Sequence, residues 1–269
     1  MLLKLVLTTL SVWLVLELAR RSGARVAGLA AGLPISTAPG LVLLGLAHGD
    51  GFAAAAGVGS LLATAICAAF AWAYASMRRR GPLRALLGGS SAAGVAAVVA
   101  AWLAAPPRAG AGLAFATASA ISLLVASRLR PEGGTDAVKP RMPRARRAAL
   151  SLMIGVVNTT VCALSNGLPA IVCGLLCGLP VVCALLAVQQ HRHGGSESAI
   201  HVLRGYVDGL FSRGVFTFTF ILSAESAGWP LGLALGGIAW ALALPCRIVG
   251  WRILASAIAY FSTKARSIT

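Results

Sequence analysis

Phe52–Met77 reads FAAAAGVGSLLATAICAAFAWAYASM, twenty-six residues without a single charged side chain. An apolar run above about 18 residues is long enough to cross the hydrocarbon core of a bilayer as a helix. Backbone polar groups in hydrocarbon must be satisfied within their own segment, and a helix does this. Nine further apolar blocks flank this one: Leu2–Ala19, Val26–Leu46, Leu83–Ala105, Gly110–Leu129, Ala148–Leu164, Pro169–Val188, Ala199–Ala224, Gly228–Leu244 and Ile248–Phe261. The expected fold is therefore an all-α membrane protein of about ten transmembrane helices.

Composition agrees. Hydrophobic residues make up 58% of the 269 and charged ones 11%, against roughly 25% charged in an ordinary soluble domain. The net charge of +16 sits in short clusters between apolar blocks, without interleaved aromatics. That distribution sets orientation by the positive-inside rule and excludes nucleic acid as a partner. Leu2–Ala19 carries Lys4 and Glu17 and runs straight into Arg20 and Arg21; with no small-residue cleavage site it reads as a retained span. The six cysteines all fall inside apolar blocks, where thiols behave as small hydrophobes, and no metal site or cofactor is expected from them.

The second block of each half carries a repeat. Gly28-Leu29-Ala30-Ala31-Gly32-Leu33-Pro34 recurs as Gly174-Leu175-Leu176-Cys177-Gly178-Leu179-Pro180. Each copy is followed by a His-Gly pair, His48-Gly49 and His193-Gly194, in register to within one residue. Residues 1–129 form a first five-helix repeat, 130–147 a basic cytoplasmic linker rich in Pro and Gly, and 148–269 a second five-helix repeat. Under this plan seventeen Lys and Arg fall on one side of the membrane and four on the other, which places both termini outside. Loops that correspond between halves carry opposite charge bias: three Arg follow the first span and none lie around Asn166. Two halves in inverted orientation produce that pattern. In plan the chain is similar to ten-helix transporters of the drug/metabolite and bile-acid types, which are also five-helix inverted duplications.

Inverted-repeat transporters hold substrate where paired helices break near the midplane. The candidates are Pro34, Ser36 and Thr37 in the first half and Pro180 in the second, because proline removes a backbone donor and clashes with the preceding turn. The eighth block adds ionisable groups, each costing roughly 2.5–3.5 kcal/mol at the bilayer centre on insertion scales. Arg204 and Asp208 are four apart and form a same-face pair. Arg213 is too deep to snorkel and needs a partner: a substrate anion beside a half-helix N-terminus, or Asp208, Glu225 or Glu17. Glu17, Arg204 and Asp208 are the ion-pair or coupling candidates. His191, His193, His201 and Glu197 read as a solvated loop at the cytoplasmic mouth.

The expected function is a multi-pass secondary transporter or permease of a bacterial inner membrane. It would move a small anionic or lipid-linked solute by alternating access and would not be an enzyme. Its partners would be membrane lipid and that solute, with a homodimer or larger membrane assembly compatible with the sequence. The alternatives are an embedded enzyme acting on lipid or polyprenyl-linked substrates, which the scarcity of carboxylates disfavours, and a membrane subunit of an envelope or polysaccharide export assembly.

Overall fold

The structure is a computed structural model; it describes residues 23–34, 37–102, 107–129 and 143–243, with scattered helical positions among the first 22. Among the described residues the chain is all-helical and contains no strand. The helices are α1 (Ala24–Gly32), α2 (Thr37–His48), α3 (Asp50–Ser76), α4 (Pro82–Trp102), α5 (Pro107–Arg128), α6 (Arg144–Leu164), α7 (Ala170–Cys177), α8 (Val181–Ala227) and α9 (Trp229–Ala243). α8 is interrupted at Gly195, whose φ of 78° and ψ of −178° are not helical, so it comprises two arms, 181–194 and 196–227.

Five segments are long and apolar enough to cross a membrane: Ala24–His48, Asp50–Ser76, Pro82–Ala100, Gly110–Arg128 and Ala170–Ala227. This fits a membrane protein. α4 and α5 turn Leu83, Leu87, Val95, Val98, Leu113 and Leu124 outward, an apolar exterior suited to lipid and too extensive for a water-facing surface. Four of the ten sequence blocks do not stand among these spans as described, Leu2–Ala19 because only scattered positions of it are described. α9 is a shorter apolar helix, α6 begins with Arg144, Arg146 and Arg147, and Ile248–Phe261 lies outside the described residues. α6 also starts inside the stretch read as linker, at Arg144.

Both GLxxGLP segments end a helix. α1 stops at Gly32 because Leu33 precedes a proline and is pushed to an extended conformation (φ −69°, ψ 160°). α7 stops at Cys177, and the chain turns through Gly178 and Pro180. The next helices start from the proline carbonyls: Pro34 accepts from the Ala38 N–H at 2.7 Å and Pro180 from the Ala184 N–H at 2.8 Å. Pro39 falls in the first turn of α2, where a missing N–H costs no intrahelical bond.

The half-helices pack by backbone-to-backbone approach through glycine, the small-xxx-small contact of membrane helices. A methyl group on Gly28 would overlap the Val202 carbonyl, and one on Gly205 would overlap that of Arg25. α1 thus lies on the second arm of α8. In the same way Gly174 lies on the Ala56 carbonyl and Gly59 on that of Ile171, setting α7 on α3. Every residue in the first contact maps onto its counterpart in the second by adding or subtracting 146. Gly32 against Gly209 and Gly178 against Ala63 obey the same offset. In both contacts residue numbers rise together along the two helices, so α1 runs parallel to the second arm of α8, and α7 parallel to α3.

Gly49 and Gly195, also 146 apart, share one unusual backbone conformation (φ 83° and 78°, ψ −171° and −178°). This corrects the pairing of Gly49 with Gly194. The turn after the half-helix needs positive φ, which only glycine adopts cheaply, and Gly195 is the residue that supplies it.

Two apolar clusters result. One joins α1 and the first arm of α8 with the C-terminal half of α3 and the start of the second α8 arm. The other joins α2 and α7 with the N-terminal half of α3 and the end of that arm. Buried polar residues occupy the level between them: Ser60 and Thr64 on α3, Ser212, Arg213 and Thr217 on α8. That level is near the middle of α3, whose 27 residues span about 40 Å at roughly 1.5 Å each.

Candidate functional site

Arg213 is 2% exposed and stands at the centre of this polar level. Gly209, one turn earlier, abuts Gly32 at the end of α1. The side chain reaches the other break: Nη2 donates to the Gly178 carbonyl at 3.1 Å and to the Ser60 carbonyl at 3.4 Å, with Ser60 Oγ at 3.5 Å. Nη1 points at Cys67 Sγ, 3.8 Å away, and the Cys67 thiol itself donates to the Gly178 carbonyl at 3.2 Å. Cys67 and Arg213 are themselves 146 apart, so each occupies the other's place in its own half. The guanidinium therefore ties the second helix break to α3, while the α8 backbone one turn earlier meets the first break.

These contacts correct the sequence expectation on two points. The guanidinium holds carbonyls at a half-helix C-terminus, where the macrodipole is negative, rather than standing at an N-terminus. None of the carboxylates suggested as partners touches it. Asp208 holds Arg25 at 3.3 Å and Arg204 at 3.4 Å, and Glu17 holds Arg21 at 2.9 Å and the nearly buried Arg147. Hydrogen bonds from a charged donor are worth about 1.5–3 kcal/mol each, enough to offset an insertion cost of roughly 2.5–3.5 kcal/mol. The carbonyls thus explain how Arg213 stays buried. They satisfy Nη2 but leave the Nε–H without a partner among the described residues and the unit charge uncompensated.

Pro34, Thr37 and Pro180 are all buried at the breaks; Ser36 lies outside the described residues. The Arg204–Asp208 pair forms as its spacing implies. Sequence reasoning missed Arg25, which joins the pair from 183 residues away and links α1 to α8.

The histidine segment departs from expectation. Residues 191–201 are helical except at Gly195, His201 is buried, the His191 Nδ1 lies 3.2 Å from the Tyr74 hydroxyl, and Glu197 pairs with Arg78 at 3.6 Å. Tyr74 is fully buried. At the opposite end of the bundle His48 Nε2 shares a 2.7 Å hydrogen bond with Ser165 Oγ, and Asp50 caps α9 by accepting the Trp229 N–H at 2.8 Å. Among the described residues no three His, Cys, Asp or Glu gather as a metal-binding set. No family model, curated protein or solved structure matches the chain.

Proposed function

We propose that the chain is a multi-pass secondary transporter of the inner membrane, built as two inverted five-helix repeats, that moves a small anion past Arg213. The observation that carries this reading is a buried guanidinium, without a carboxylate partner among the described residues, bonded to the break after α7 one helical turn from where α8 meets the break after α1. The inverted plan draws support from the parallel run of α1 with α8 and of α7 with α3. Consecutive spans joined by a tight turn run antiparallel, so a second span lying parallel to the other half's third span belongs to a unit inserted the other way up. Breaks at both pseudo-equivalent sites would give each half a point about which it can rock, with Arg213 beside the second and Gly209, one turn away, beside the first.

The test is a comparison of small anions inside cells and in the medium for a strain lacking the chain, the same strain carrying it, and one carrying Arg213→Gln. One anion should redistribute across the membrane only with the intact chain; identical profiles in all three strains would remove the transport reading.

Topology is checked separately. Reporters fused after residue 130 and at the C-terminus should report cytoplasm and exterior respectively. A cytoplasmic C-terminus would break the inverted symmetry, because it requires an odd number of spans.

The helix breaks supply a third expected result. Pro34→Ala or Pro180→Ala restores a backbone donor and lets the helix run on, so abundance should stay within about twofold of the parent while transport falls by about tenfold or more. Equal losses of both would mark the prolines as packing kinks.

A further inference from the structure

Two fully buried polar atoms at the helix breaks have no hydrogen-bond partner among the described residues: Oγ1 of Thr37 and Nε of Arg213. Thr37 is 0% exposed and is the first residue of α2. It shares a face with Gly40, three residues on, and a Cβ on Gly40 would come within 3.0 Å of Cys177 Sγ. The next residue, Gly178, presents the carbonyl that receives Arg213. The first turn of α2 and the guanidinium therefore both meet the end of α7. Both unsatisfied atoms can donate, the helix start is positive, and no acceptor among the described residues answers them.

We infer that this convergence is the seat of a small univalent carboxylate, one oxygen facing Arg213 Nε and the other Thr37 Oγ1. The inference rests on the transport reading above and names its substrate class. Charge selects a univalent ion: Arg213 is the cation at this point, while Arg25 and Arg204 are both held by Asp208. A dianion would leave a net negative charge in a low-dielectric interior, where unpaired charge is strongly disfavoured. Two separated donors on different helices match an ion with two acceptor oxygens better than a halide. Enclosure selects a short molecule, because Leu41, Leu44 and Cys177 around the start of α2 are all buried. A lipid-linked anion would have to thread its tail through these packed helices.

The purified full chain in detergent tests the assignment by thermal unfolding with sodium acetate, chloride, phosphate and oxalate at matched ionic strength. Acetate should raise the unfolding midpoint saturably and the other three should not. Thr37→Val removes one donor to a charged ligand and should weaken acetate protection by about tenfold, Thr37→Ser should retain it, and Arg213→Gln should abolish it. Chloride protecting as well as acetate, phosphate or oxalate protecting better, or Thr37→Ser losing as much as Thr37→Val would each overturn the assignment. Labelled-acetate counterflow in liposomes at about pH 8, where the membrane-permeant acid is scarce, separates the two claims. Saturable binding without counterflow keeps the site and removes transport; movement of another solute with no acetate protection keeps transport and removes the site.

Discussion

Arg213→Leu should accumulate in membranes close to the level of the parent protein and lose transport by about 100-fold or more. A buried charge paired with a carboxylate leaves an orphaned partner when it is removed, which destabilises by about 3–5 kcal/mol. Arg213 has no such partner among the described residues. It donates to the carbonyls of Gly178 and Ser60, and the Gly178 carbonyl keeps a second donor in the Cys67 thiol. The fold therefore loses hydrogen bonds and sheds an ionic desolvation cost at the same time. On the proposed reading transport has no such compensation, because the positive charge it depends on is gone. Arg213→Lys keeps that charge on a thinner group that cannot reach two carbonyls and a ligand together; its affinity should drop about tenfold with folding intact. Immunoblots of isolated membranes and uptake assays on the same preparations check both variants. A poorly folded Leu variant restored by Asp208→Asn or Glu17→Gln would revive the ion-pair reading and sink this one.

The glycine contacts carry the largest expected effect on stability. Gly28→Ala, Gly205→Ala, Gly59→Ala and Gly174→Ala each drive a methyl group into a backbone carbonyl of a neighbouring helix. Backbone cannot rotate aside as a side chain can, so each should cost at least about 1–3 kcal/mol and lower the folded yield several-fold. Gly94→Ala and Gly112→Ala, where a new Cβ meets nothing within 4 Å, should be neutral. Combination separates the two interfaces. Gly28→Ala with Gly205→Ala disturbs one contact twice and should cost less than the sum of its parts. Gly28→Ala with Gly174→Ala opens two contacts and should be additive. Thermal unfolding in detergent measures all of them, and additivity within the first pair would mean the two glycines do not share an interface.

How much of this was legible in the sequence depends on the kind of interaction. Helical character and the two breaks follow from apolar run length and from Pro34 and Pro180, because proline acts through local geometry. The Arg204–Asp208 pair follows from helical spacing. Arg25 does not, since nothing local marks a partner 183 residues distant. The depth of Arg213 was legible, but its partners were not: they are backbone carbonyls, which every residue possesses and no residue name reveals. The pairing of Gly49 with Gly194 slipped by one because identity was matched on the preceding histidine, whereas the conserved quantity is a backbone angle. Carried through the whole chain, the GLxxGLP offset of 146 residues puts Gly59 opposite Gly205 and Cys67 opposite Arg213 from the sequence alone.

That last correspondence bears on how such a chain could come to exist. On the duplicated reading, the single unit would once have assembled as an antiparallel pair of identical copies. At a twofold axis a residue meets its own twin, and Cys67 and Arg213 do meet, Sγ to Nη1 at 3.8 Å. Two guanidinium groups at that point would face each other in hydrocarbon, and two thiols would bring no charge. Only when both copies are encoded in one polypeptide can the twins differ, so on that reading the single charge at the axis would be something that fusion made available and a symmetric dimer could not hold.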